Sequence, residues 1–253
     1  MGSIVGDWGS IGDVTDLVWR RDCVCCARVD VPSVSPGVAL CRGCAAELRG
    51  PVSRLGVPAA GLPVFAAGPY GGAHRGLVLA AKEHVRPEAV TVMGDVMAGT
   101  VRHLVAEGVL PDPRLSPLVL VPAPTTVAAA RQRGGCVVER AARRAAEGLR
   151  GLRGHSGHSG HSGRVDVVAP AHQAAVARDS VGLGRTQRRE NIVLTLRFDD
   201  SALQRLRRLL RREGATACIV DDVTTSGATL DGFAVGLAAR GVRATAAVVV
   251  AEA

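Results

Sequence analysis

The chain has 253 residues, 47% hydrophobic but only 2% aromatic, so a core of one-domain size must be built mostly from Ala, Val and Leu, and the scarcity of aromatics counts against a strong stacking platform for single strands. Its net charge is +8 with a pI near 9.8, and Lys82 is the only lysine, so the excess is arginine; it suits a phosphate-bearing ligand or a nucleic acid and does not choose between them. No apolar run reaches membrane-spanning length, and the opening MGSIVGDWGS carries neither a signal peptide nor a myristoylation pattern, with Gly6 where Ser or Thr is needed, so a cytoplasmic address with reduced thiols is expected.

Residues 1–22 read as a short amphipathic lead-in, with Ile11, Val14, Leu17 and Val18 at helical spacing. Five of the seven cysteines follow within 23–44. Cys23-x-x-Cys26 and Cys41-x-x-Cys44 are fourteen residues apart. Each CxxC places two sulfurs on one tight turn, and two such turns close a tetrahedral four-thiolate site of the zinc-ribbon or zinc-knuckle kind. A closed site leaves no position for substrate, so the zinc is expected to be structural. Cys25 should point away from the metal, and Cys136 and Cys218 read as small core residues. A zinc-binding module is placed at 1–50, a Gly/Pro-punctuated connector at 45–62, and an α/β domain over 63–253.

Within that domain the pattern predicts a strand at Val64–Ala67 and helices at Gly72–His84 and Glu88–Glu107. PLVLVPAP holds a buried strand, Leu118–Val121, that ends in a proline-bounded turn. A helix over Cys136–Arg150 and a strand over Val165–Ala169 come next. Ile192–Phe198 alternates like an edge strand, and Ser201–Glu213 reads as an arginine-rich helix. A strand at Thr216–Val220, a helix at Thr229–Arg240 and a strand at Ala244–Val250 complete the pattern. Strands alternating with helices argue for a parallel sheet covered on both faces. One insert, 154–164, contains the repeat HSGHSGHSG; three histidines at this spacing could bind a metal, but nothing rigid fixes their geometry and the stretch reads as a flexible linker.

CIVDDVTTSGATL, residues 218–230, carries the chemistry. Its apolar start is a strand, and Asp221 and Asp222 stand at the carboxyl end, where open α/β sheets bind ligands. Thr224 to Thr229 form a Gly-containing turn into a helix, whose free N–H groups and positive dipole end suit an anion. Paired carboxylates suit the vicinal hydroxyls of a ribose, or a magnesium ion. A phosphate-sized anion would then sit beside a diol, and a ribose 5-phosphate has both.

The stretch resembles the signature by which type I phosphoribosyltransferases bind 5-phosphoribosyl 1-pyrophosphate (PRPP). With the two CxxC units, Tyr70-Gly71-Gly72, Arg75, Lys82, Val121-Pro122-Ala123-Pro124, Arg131-Gln132-Arg133-Gly134, Arg188 and Asn191 in the same order, the chain resembles the ComF (GntX-like) family over residues 17–251. It departs from that pattern at Gly135-Cys136-Val137 and at Ser180. The resemblance implies a type I phosphoribosyltransferase-like sheet and Mg-dependent displacement at C1′ of PRPP by an unidentified nitrogenous acceptor. It implies that Asp221 and Asp222 hold the ribose hydroxyls, one of them stabilising charge on the ring. Thr224, Thr225, Ser226, Gly227, Ala228 and Thr229 would hold the 5′-phosphate, and backbone around Ala123 and Pro124 would bound the pyrophosphate. Arg131 and Arg133, in a mobile segment, would neutralise the leaving group, and Lys82 would contact substrate or phosphate unless it is only a solvated helix lysine. The hood over the acceptor is expected from 63–83 and 178–191, with Tyr70, His74, Arg188 and Asn191 in it. The family is associated with DNA uptake, so single-stranded DNA or competence proteins are implied partners, and a homodimer is common among similar folds. A non-catalytic PRPP- or single-stranded-DNA-binding competence module is the alternative, with the arginines of 131–153 and 178–212 either a solvated face or a nucleic-acid track.

Overall fold

The computed structural model describes residues 22–29, 38–56, 61–150, 164–174 and 192–253. Residues 1–21 of the lead-in, the histidine repeat, and Ser180, Arg188 and Asn191 lie outside them. In chain order the elements are α1 (Arg42–Glu47), β1 (Ser53–Arg54), β2 (Val64–Ala66), α2 (Gly72–Lys82), α3 (Pro87–Ala106), β3 (Leu118–Pro122), α4 (Val127–Gln132), α5 (Val137–Arg150), β4 (Val165–Val167), β5 (Ala171–Gln173), β6 (Leu196–Phe198), α6 (Asp200–Leu210), β7 (Thr216–Thr224), α7 (Ala228–Ala238) and β8 (Ala244–Glu252).

Six strands form one sheet in the order β1-β2-β8-β7-β3-β4. All pairs are parallel except β1 with β2. This is the α/β architecture expected, and the apolar runs of β3, β7 and β8 are buried on both faces as parallel strands require. Strand alternation divides the core. Leu118, Leu120, Cys218, Val220 and Val248 face α2, α3 and α5, while Val119, Val121, Ile219, Ala247 and Val249 face α6 and α7. With so few aromatics the helices must approach closely. Ala141, Ala142, Ala145 and Ala146 form a fully buried stripe on α5, and a side chain at Gly94 of α3 would strike the Ala141 carbonyl. The cysteine-bearing segment joins the first of these cores: Cys23, Val24, Leu40, Cys44 and Leu48 pack in it with Leu77 and Val78 of α2.

Two expectations need correction. Ile192–Phe198 is not one strand: residues 192–195 make a helical turn, and only β6 pairs, antiparallel to β5, in a separate two-stranded ribbon. Thr195 Oγ1 donates to the Ile192 carbonyl at 3.0 Å, a local bond that competes with a ladder. The ribbon is seated on α7, where Phe198 stacks on Phe233 at 6.4 Å and Arg240 lies 3.8 Å over the Phe198 ring. Second, β7 runs past Val220 to Thr224 because β8 continues beside it, pairing Asp221 with Val249 and Thr224 with Glu252. The acidic pair therefore lies within the strand's last residues.

The link between α2 and α3 contains a strained residue. Val85 has φ 48° and is 44% exposed. A left-handed backbone costs a β-branched residue about 1–2 kcal/mol, and Asn tolerates it better. Val85→Asn is expected to raise the unfolding free energy by about 1 kcal/mol in urea denaturation; a lowered midpoint would show that the valine side chain contributes more than its strain costs.

Candidate functional site

The four cysteines Cys23, Cys26, Cys41 and Cys44 converge, with all their sulfurs within 4.8 Å of one another, a cluster that could hold a metal ion. Cys26 Sγ and Cys41 Sγ are 3.9 Å apart. Backbone N–H groups point at the sulfurs: Cys41 N donates to Cys23 Sγ and Cys44 N to Cys41 Sγ, each at 3.4 Å. Burial opposes ionisation at Cys23, but the N–H donors around its sulfur outweigh it and bring the thiol down to about 6. Cys44 is pushed up, first by burial and then by the neighbouring thiols. Four thiols this close, three of them buried, cannot all ionise without a cation between them, which is the donor set zinc takes. Cys25 stays out of the cluster; its thiol is pushed up to about 12 by burial first and by the charges of Cys23, Cys26 and Cys41 next.

The second site is a cavity of about 220 Å³ at the carboxyl end of β3 and β7. Asp221 and Asp222 supply its floor, and Ala123 and Pro124 the turn leaving β3. Lys82 from the last turn of α2, Arg133 and Thr229 complete the expected residues that reach it. Strand alternation sends Asp222 toward the α2 face, where Lys82 Nζ lies 2.8 Å from each of its carboxylate oxygens. Asp222 Oδ1 also accepts from Val223 N at 2.7 Å, and Asp221 Oδ1 from Asp222 N at 2.8 Å. Burial first, and then the charge of Asp222, push the Asp221 carboxyl well above the usual carboxylate range. The pair thus divides into one ion-paired carboxylate and one group held toward its neutral form. Arg133 Nε donates to the Lys82 carbonyl at 2.9 Å, so the two cations of the cavity are tied to each other.

The turn after β7 is a helix entry. Gly227 has φ 73° at the N-cap of α7, a left-handed conformation that glycine adopts without strain. No side chain caps that end, and the first N–H groups of a helix have no intrahelical partner. Thr225 is exposed and Ser226 half-exposed there. Thr224, Thr225, Ser226, Gly227 and Ala228 do not themselves line the acidic cavity; of this turn only Thr229 does. Arg131 is not brought to it either. Arg131 lies in the last turn of α4, whose start is capped by Thr126 Oγ1 accepting from Ala129 N at 3.2 Å, and Arg133 is its C-cap. Arg131 faces a neighbouring cavity of about 650 Å³, on the side of His172 and Asp199. His74, expected in a hood, is 1% exposed and packed against Gly68, and burial lowers its pKa.

Gln173 was not expected and lines the acidic cavity. Its N–H donates to the Thr125 carbonyl at 3.0 Å, which fastens β5 to the turn after β3. Cys136, at the start of α5, lines both cavities, and burial raises its thiol pKa. No helix among the described residues is long and apolar enough to cross a membrane. Compared with known proteins, the sequence matches no family model and no curated relative.

Proposed function

We propose that the chain binds PRPP at the end of β7 and transfers its ribose 5-phosphate to a nitrogenous acceptor, on a sheet of the type I phosphoribosyltransferase kind. The observation that carries this reading is the acidic pair at the end of an interior parallel strand, one turn before the glycine-entered α7, in a cavity shared with Lys82 and Arg133. Asp222 would accept hydrogen bonds from the ribose hydroxyls, and the turn 224–229 would receive the 5′-phosphate. Arg133 lies beside the Ala123–Pro124 turn, where a departing pyrophosphate gains negative charge. The bond from C1′ to pyrophosphate breaks and pyrophosphate keeps the electron pair. The acceptor nitrogen forms the new bond to C1′ and releases its proton to solvent. Mg²⁺, accompanying PRPP, would neutralise pyrophosphate charge, with Asp221 and Asp222 the carboxylates at hand. The cysteine cluster would hold a structural zinc away from this chemistry.

Incubation with PRPP, Mg²⁺ and a panel of free bases, followed by pyrophosphate release, tests the assignment. Release that depends on a base supports transfer. PRPP binding with no release for any base favours the second reading, a non-catalytic PRPP-binding module of the DNA-uptake kind that the family resemblance implies. That reading is favoured by the engagement of Lys82 with Asp222 and of Arg133 Nε with the Lys82 carbonyl, contacts made within the protein itself.

A further inference from the structure

We infer that Glu47 is a positioning residue for the cavity: α2 is a strut, held at one end by the four-cysteine module and presenting Lys82 to Asp222 at the other. The consequence for ligand binding rests on the donor-site reading above, whereas the strut itself does not.

At 1.5 Å per residue the eleven residues of α2 span about 15 Å. Its first turn is capped from outside: Ala73 N donates to Glu47 Oε1 at 2.8 Å. A carboxylate at a helix N-terminus satisfies an orphan N–H and complements the dipole. The fit is close, since a Cβ at Gly72, where φ is 41°, would collide with the Glu47 carboxylate. Glu47 is the last residue of α1, the helix that Cys41 caps and that carries Cys44. One six-residue helix therefore bears both a pair of candidate metal ligands and the cap of the strut.

A second fastening lies one turn along. A Cβ at Gly76 would run into the backbone of Cys25, between the first two cysteines of the cluster. Mid-helix glycine is less favourable than alanine, and here the close approach of the module accounts for it. The third fastening follows the strut. Arg86, 6% exposed, pairs with Asp22 at 2.7 Å and with Glu88 at 2.8 Å, and Asp22 precedes the first cysteine of the cluster.

At the far end Lys82 meets Asp222, and its carbonyl accepts from Arg133. No described residue of the module lines the acidic cavity, and α2 is the element that touches the module and carries a cavity residue, Lys82.

Lys82 being the only lysine makes the test direct, because amine acetylation reports on it and the chain terminus alone. In the full-length, metal-loaded protein, Glu47→Ala should speed Lys82 acetylation by about threefold or more, as the loosened strut opens the ion pair. Glu47→Gln keeps an acceptor oxygen for Ala73 N–H and should restore the slow rate. Chelation of the metal should act like Glu47→Ala. Phe198→Leu, a destabilising change on the opposite face, controls for general loosening and should leave the rate alone. An unchanged rate in Glu47→Ala, or an equal increase in Phe198→Leu, overturns the strut.

PRPP with Mg²⁺, titrated calorimetrically, then reads the consequence. Glu47→Ala should weaken it by about fivefold, and should add nothing in a Lys82→Met background. Equal losses in both backgrounds overturn the route through Lys82. A wild-type protein that does not bind PRPP, but whose Lys82 is exposed by Glu47→Ala, removes the donor reading and leaves the strut standing.

Discussion

Cys41→Ser should abolish metal binding and lower the unfolding free energy of the whole described fold by about 3–5 kcal/mol, some 10 °C in Tm. Cys41 is the most informative of the four because its local and global effects have opposite signs. As N-cap of α1 its sulfur accepts from Cys44 N at a long 3.4 Å. Serine is the better cap, so α1 alone should gain slightly. The cluster loses a ligand, however, and Cys26 Sγ loses the sulfur 3.9 Å away that it faced. Metal binding free energy at such a site is folding free energy, since the unfolded chain holds no preformed cluster. The loss cannot stay local, because Cys23, Cys41 and Cys44 share one core with α2, α3 and α5. One cooperative transition at lower temperature, with no metal in the native mass spectrum, is the expected result. Metal-free wild-type protein of unchanged Tm would remove the metal site.

The cluster and the acidic pair were legible in the sequence because each is local. Two CxxC units and a DD before a Thr/Ser/Gly turn carry their chemistry within a few residues. The long elements were legible by periodicity: α3 falls within one residue of expectation at each end, and α5 begins one residue late. What escaped is short or held from a distance. β1 is two exposed residues paired with β2, and β5 is three residues fastened to Thr125 and β6. Neither length can show a period. The extension of β7 was hidden because acidic residues end an apolar run, although the ladder with β8 continues.

The site was half legible for the same reason. Asp222 declares itself, but its partner Lys82 is 140 residues away, and nothing in either neighbourhood specifies the pair. Arg131 and Arg133 look equivalent in sequence, yet α4 ends between them. The six-residue helix turns Arg131 toward the larger cavity, while Arg133 at its C-cap reaches back to Lys82. Gln173 carries no signal at all, since its place depends on a ribbon formed in three dimensions.

Asp222→Asn and Asp221→Asn should behave in opposite ways, although the residues are adjacent and of one type. Asp222→Asn should weaken PRPP binding by about tenfold to a hundredfold, the range for losing a charged hydrogen-bond acceptor. Its effect on stability should be small, because Lys82, with its side chain 29% exposed, can turn to solvent when the pair is broken. Asp221→Asn should leave PRPP binding less affected and should stabilise the protein. Burial and the charge of Asp222 hold the Asp221 carboxyl above the ordinary aspartate value of 3.8, so between that value and its folded one the native state holds a proton that the unfolded chain has released. Stability therefore falls as pH rises through this window and levels off above it. Asparagine has no proton to hold, and its amide oxygen can still accept from Asp222 N. The gain should accordingly be absent near pH 4 and grow with pH, at up to about 1.4 kcal/mol per unit while the window lasts. Urea unfolding of wild type and variant at several pH values measures the difference. A gain independent of pH would mean that the benefit of Asn comes from packing, and that Asp221 is ionised in the folded protein.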